Sequence, residues 1–194
     1  MTSDAQALAG IVLITCWIVF LAVWLVSAFF TKRTAFRQDL VGSVAYRVLA
    51  VAGFFLLVRG ARFSPALGLR FAPPSTGLAW LAAACGIIGL GICLWARLTL
   101  GRNWSSVVTV KENHELVQHG PYRFVRHPIY TGILTLFTGN VLLDGRWGGI
   151  LGDLLLLLSF WIKLRHEEAL MLKEFPRDYP AYMQRVRRLV PYVF

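Results

Sequence analysis

HELVQHGPYRFVRHPIY, residues His114 to Tyr130, sits between two long apolar segments. Three histidines, two arginines, two tyrosines and two prolines crowd into a chain that is otherwise largely hydrocarbon. Polar backbone and side chains are disfavoured at membrane depth, so such a cluster persists where it lines a cavity or meets water. The stretch therefore separates two membrane segments and marks the place to look for function.

The apolar flanks decide the class. Hydrophobic residues make up 57% of the 194 and charged residues 15%, against about 25% charge in a soluble domain. Mean hydropathy is +0.59. This composition predicts an all-α integral membrane protein with a single membrane domain over 1–194. Leu8 to Phe30, Val44 to Val58 and Gly77 to Leu98 read as three spans within 1–100. The first has no basic leader or small-residue cleavage site, so it reads as a span rather than a signal peptide. Ile129 to Leu143 and Gly149 to Ile162 supply two more. The turn signal Asp144-Gly145-Arg146-Trp147-Gly148-Gly149 makes that pair a helical hairpin. Both arms are shorter than the about 20 residues of a full crossing, so they are expected to cross incompletely or lean on neighbours. The Gly and Ala content of the third span suits close helix packing.

Twenty Lys and Arg against ten Asp and Glu give a formal net charge of +10. The basic residues lie between apolar spans rather than along one soluble face, which points to membrane lipid and not to nucleic acid as the partner. With five spans, sixteen of the twenty fall on one side, leaving only Arg59, Arg62, Arg70 and Arg146 on the other. The positive-inside rule then places the His114–Tyr130 loop and the C-terminus in the cytoplasm. Loop and tail can there build one site. Cys16, Cys85 and Cys93 lie inside apolar segments without metal spacing and read as small packing residues.

The tail after the fifth span carries Glu167 and Glu168. Lys163 and Glu167 are four residues apart and share a helical face. They read either as an interfacial ion pair or as part of a polar pocket, where the Glu167 carboxylate accepts hydrogen bonds from hydroxyls or an ammonium group. Tyr179, Tyr182 and Tyr192, with Pro176, Pro180 and Pro191, mark an interfacial segment. In the loop, His127 precedes Pro128, which suits the first turn of the fourth span because its missing donor is an orphan there. A helix N-terminus beside a histidine favours an anionic group. His114 and His119 have no third ligand, so no metal is expected, and His166-Glu167-Glu168 is not the metalloprotease pattern. Asp153 is the main intramembrane charge, and too few others accompany it for a proton relay.

HELVQHGPYRFVRHPIYTG, an apolar hairpin, the paired glutamates and FPRDYPAYMQRVRRLVP together resemble the isoprenylcysteine carboxyl methyltransferase family. The wider group includes membrane phospholipid N-methyltransferases and small-thiol S-methyltransferases. The resemblance runs over roughly Gly101 to Pro191, making 101–194 the methyltransferase-like half. It implies S-adenosyl-L-methionine as methyl donor. By this carry-over His114, Glu115, Leu116, Val117, Tyr122, His127, Pro128, Ile129 and Tyr130 line the cofactor pocket, and Glu167 closes it. His127, Glu167 and Arg126 are the residues expected to act in catalysis. The family's substrate-contacting arginine falls on Lys163, with Arg165 as a neighbouring substitute. Lysine lacks the planar fork that grips a carboxylate bidentately.

The implied reaction needs little acid–base chemistry when the acceptor is a carboxylate, already ionised at neutral pH. An amine must be neutral and a thiol must be a thiolate, and His127 or Glu167 is then the candidate base. The expected function is methyl transfer to a lipophilic or prenylated acceptor, most directly an isoprenylcysteine carboxylate. A phospholipid amine or small thiol is the alternative acceptor. A membrane carrier or docking protein is the alternative of a different class.

Overall fold

The structure, a computed structural model, describes residues 2–29, 34–37, 40–101, 109–111 and 116–191. Five long helices run Thr2–Ala28 (α1), Leu40–Phe63 (α2), Thr76–Leu100 (α4), Pro128–Asp144 (α5) and Trp147–Glu174 (α6). Short helices Pro65–Gly68 (α3) and Asp178–Arg185 (α7) complete the helical set. The fold is helical as expected, and it adds one small ribbon. Thr34–Arg37 (β1) pairs antiparallel with Thr109–Lys111 (β2), with Arg37 opposite Thr109.

Among the described residues, four helices are long and apolar enough to cross a membrane: Thr2–Ala28, Ser43–Phe63, Thr76–Leu100 and Trp147–Glu174. The fifth expected segment forms α5, whose 17 residues span about 25 Å at 1.5 Å per residue. That is less than the about 30 Å of hydrocarbon. The largest departure from the expected boundaries is in α6, which continues twelve residues past Ile162 to Glu174. Leu164, Ala169, Leu170, Met171 and the charged residues between them are good helix formers, and nothing opposes the helix before Pro176. The paired glutamates consequently sit on a rigid helix rather than in a tail. Helix α2 likewise exceeds the expected Val44–Val58 at both ends.

The helices alternate in direction. Gln6 on α1 donates to the Ser75 carbonyl just before α4, and the Trp147 amide donates to the Leu69 carbonyl, so these ends lie together. At the opposite end, buried Arg97 on α4 donates to the carbonyl and hydroxyl of Ser27 at 3.0 Å each and to the Gly101 carbonyl at 2.5 Å. One guanidinium thus satisfies the carbonyl ends of two helices, where a cation is favoured by the helix dipole.

Packing divides the bundle into two groups, α1 and α5 against α4, and α2 against α6. Glycines set the close approaches. A β-carbon on Gly132 of α5 would lie 2.5 Å from Cys93 Sγ and 2.7 Å from the Gly89 carbonyl oxygen. A β-carbon on Gly152 of α6 would lie 2.6 Å from the Gly53 carbonyl oxygen of α2. Cys16 and Cys93 pack with Phe20 and Leu136 in the interior, as packing residues should. Although the main partners of α5 and α6 differ, the tight turn at Gly145, the Thr138 Oγ1 bond to Asp153 Oδ2 at 3.0 Å and the stacking of Tyr130 on Phe160 join the two groups.

Gly132→Leu is expected to destabilise the protein by about 3 kcal/mol or more through overpacking of the α4–α5 contact. Gly77→Ala, with nothing within 4 Å of the added carbon, is the control. Thermal unfolding in detergent compares them, and equal midpoints would refute this packing.

Candidate functional site

The site forms where the α5 N-terminus, the end of α6 and the segment after α7 meet. Gly120 has φ of +60°, open to glycine at little cost, and starts a 3-10 turn over Gly120–Arg123. A β-carbon there would also lie 2.8 Å from Thr99 Oγ1, so the turn is pressed against α4. The chain then runs extended past the tail. The Arg126 amide donates to the Arg187 carbonyl at 2.7 Å and the His127 amide to the Arg188 carbonyl at 3.0 Å. Pro128 opens α5 behind them, and the His127 side chain makes no cap bond. It points instead to the carboxylates of α6.

Glu168 is the centre of the cluster. Its Oε1 accepts from Arg126 Nε at 2.9 Å and Nη2 at 2.7 Å, and lies 3.3 Å from His127 Nε2. Its Oε2 accepts from Arg188 Nε at 3.0 Å. The remaining Arg126 nitrogen, Nη1, donates to the Val186 carbonyl and, at 3.3 Å, to that of Met183. One buried carboxylate thereby joins loop, α6 and tail. Tyr182 adds a second tie, donating to the Tyr122 carbonyl at 2.6 Å. Burial pushes the Tyr122, Tyr179 and Tyr182 phenols up, which keeps them neutral donors.

Glu167 is differently placed. Tyr130 Oη donates to its Oε1 at 2.5 Å, and its Oε2 stands 3.5 Å from His127 Nδ1. Its side chain is 24% exposed against 5% for Glu168. A carboxylate offers about four acceptor positions, so Glu167 retains capacity that Glu168 has used. Burial pushes the His127 imidazole down, but the two carboxylates flanking it prevail and hold its pKa above 6.5. Tyr130 lies stacked between His127 and Phe160, with centroids 5.6 and 4.8 Å away, and Lys163 Nζ is 5.4 Å above its ring.

The structure thus gathers Arg126, His127, Pro128, Tyr130, Lys163 and Glu167, all singled out in the sequence. Tyr122 is buried beside Tyr182, and Leu116 packs with Tyr179, Tyr182 and Val186 under the loop. Val117 and Ile129 are half-buried. Arg126 turns its donors onto Glu168 and backbone carbonyls, which makes it a positioning residue. Arg165 is exposed, about 200° around the helix from Lys163, on the face away from the cluster. His114 and Glu115 lie outside the described residues. Sequence reasoning treated Glu168 only as the twin of Glu167 and Arg188 only as a charge in the tail. The available signal was the carboxylate pair itself, since a second buried acid requires its own partner.

The chain is similar to known proteins. The model of the phospholipid methyltransferase family matches residues 78–178. A probable protein-S-isoprenylcysteine O-methyltransferase of Oryza sativa subsp. indica is 33% identical over 110 residues, 55% of this chain and 58% of that protein. Protein-S-isoprenylcysteine O-methyltransferase B of Arabidopsis thaliana is 33% identical over 101 residues, 50% of this chain and 51% of that protein. The chain therefore spans only a little over half the length of these relatives. A solved eukaryotic intramembrane Ras methyltransferase, an isoprenylcysteine carboxyl methyltransferase, matches with a TM-score of 0.48 and 28% identity. That match covers 76% of this chain and 52% of the other.

Two measurements probe the cluster. Glu168→Gln removes one partner of a buried ion pair and is expected to lower stability by about 3–5 kcal/mol; an unchanged unfolding midpoint would dissociate Glu168 from the fold. The second concerns pH. A raised folded-state pKa means that the His127 contribution is complete below pH 6.5 and is lost as pH climbs through the raised value. The midpoint difference between the native protein and His127→Gln, followed from pH 5.5 to 9, is expected to shrink with pH. A flat or widening difference would contradict the ion pairing.

Proposed function

Since this chain belongs to the phospholipid methyltransferase family, we propose that it is a membrane-embedded methyltransferase using S-adenosyl-L-methionine and acting on a lipophilic acceptor. The acceptor proposed is the carboxylate of an isoprenylcysteine, the chemistry named for its relatives. The observation that carries the reading is the unequal pair of glutamates. Glu168 is held by two arginines and His127, and Glu167, its side chain less buried, meets His127 and Tyr130.

The donor set suits the cofactor. Glu167 can accept from ribose hydroxyls or an ammonium, and Leu116 and Val117 offer half-buried apolar surface of the kind an adenine ring packs on. When bound, the cofactor supplies a methyl group on a sulfonium, already activated for transfer. The protein's own part is orientation and exclusion of water. His127 is held in register by Glu168 and Glu167, Tyr130 fixes Glu167, and Lys163 supplies positive charge one helical turn from Glu167. A carboxylate acceptor would be drawn toward Lys163 as a point charge.

The count of basic residues supports a cytoplasmic placement for this end of the bundle. The polar cofactor would then arrive from the cytoplasm. The lipophilic acceptor would enter from the bilayer side, since the site lies where α5 begins and the polar end of α6 follows its apolar part.

Calorimetry with S-adenosylhomocysteine tests the cofactor. Glu167→Ala is expected to weaken binding ten- to a hundredfold, the worth of a hydrogen bond to a charged acceptor. Absence of binding to the folded native protein would return the carrier or docking alternative. Labelled methyl transfer to prenylcysteine, phosphatidylethanolamine and small-thiol panels then separates the acceptors, and Lys163→Ala should raise KM for prenylcysteine if its carboxylate is the acceptor.

A further inference from the structure

Five arginines of the loop and the segment from Arg185 onward divide into two sets. Arg126 and Arg188 turn inward onto Glu168. Arg123, Arg185 and Arg187 turn outward and, with Phe124 and Gln184, line a cleft of roughly 210 Å³. The division follows from the pairing of two strands of chain. Val125 bridges Arg187 in parallel, and Val125 and Val186 are buried beneath the pair, so the exposed residues on either side converge.

Among the described residues no carboxylate pairs with Arg123, Arg185 or Arg187. Arg123 lies over the Phe124 ring at 4.5 Å, and Arg185 donates to Gln118 Oε1 at 3.2 Å and to the Ala181 carbonyl at 3.3 Å. Three guanidiniums held this close repel one another unless an anion enters, and planar guanidinium forks match phosphate oxygens. A volume below the about 300–1,000 Å³ of drug-sized sites suits a headgroup rather than a nucleotide.

An exposed aromatic pair beside the cleft argues for a place at headgroup level. Phe124 is 40% exposed and Trp95, near the end of α4, is 48% exposed, their rings 6.3 Å apart. Exposed aromatics at a helix end mark headgroup level. The basic cleft flanks this aromatic pair, where lipid phosphates reside.

We propose that Arg123, Arg185 and Arg187 form a binding site for the phosphate of an acidic phospholipid, separate from the methyl-transfer site. A bound lipid would neutralise the cleft and pin the loop–tail pairing that Glu168 fastens from inside. Acidic lipids would therefore stabilise the site end selectively.

The test uses the full chain purified in nonionic detergent, with bound lipid counted by native mass spectrometry and thermal midpoints read in parallel. Phosphatidylglycerol is expected to bind at least about tenfold more tightly than phosphatidylcholine and to raise the midpoint more, with a preference that fades in high salt. Arg123→Gln/Arg185→Gln/Arg187→Gln is expected to abolish the preference while S-adenosylhomocysteine binding persists. Should the triple variant not fold, Arg123→Gln alone carries the test with about a fivefold loss. A preference that survives in the variants, or no preference in the native protein, overturns the site. Equal protection by inorganic phosphate overturns the lipid assignment in favour of a free anion.

Discussion

The contact between Arg126 and Glu168 is the constraint on which this end of the molecule rests. Transferring a carboxylate and a guanidinium from water is unfavourable by several kcal/mol per ion, and a single contact does not offset it. Here Glu168 gathers two nitrogens of Arg126, one of Arg188 and the His127 imidazole, and Arg126 turns its third nitrogen to the Met183 and Val186 carbonyls. Each polar group leaves water only to meet another. Loop, α6 and tail are held in one geometry because none can leave without stranding a buried charge.

Adjacent acids on one helix can then do different things. Successive residues are turned about 100° from each other, so Glu168 enters the core while Glu167 faces the rim beside Tyr130. A single acid would have to serve as both anchor and ligand. With Glu168 saturated by arginines, Glu167 is oriented by Tyr130 and His127 and keeps acceptor capacity. His127 is the link between them, with Nε2 toward one carboxylate and Nδ1 toward the other.

The spans and the polar loop were legible because both rest on strong local signals, unbroken apolar runs and a cluster that hydrocarbon does not tolerate. Helix lengths were less so. The sequence pattern ends α6 where hydrophobicity ends, at Ile162, whereas the backbone continues until Pro176 forbids it. Hydropathy reports the membrane boundary, and helix propensity reports the helix boundary. In the candidate site, His127 and the Lys163–Glu167 spacing stood out by their own chemistry, and Tyr130 only through the family resemblance. Arg188, twenty residues from Glu168, became legible only through the tertiary pairing of Val125 with Arg187. Nothing local distinguishes Arg188 from Arg187, yet one closes the buried cluster and the other faces out.

That alternation also explains why charge and function sit together at a membrane edge. A site for a polar cofactor and an apolar acceptor must be dry on one side and open to water on the other. In the proposed site the apolar helices would provide the dry side, and the loop–tail pairing the polar cover. Because consecutive arginines on the extended tail face opposite ways, the same short segment that seals the interior with Arg188 leaves Arg187 exposed on the outer surface. Fastening the cover from inside and charging its outer surface are consequently one structural event.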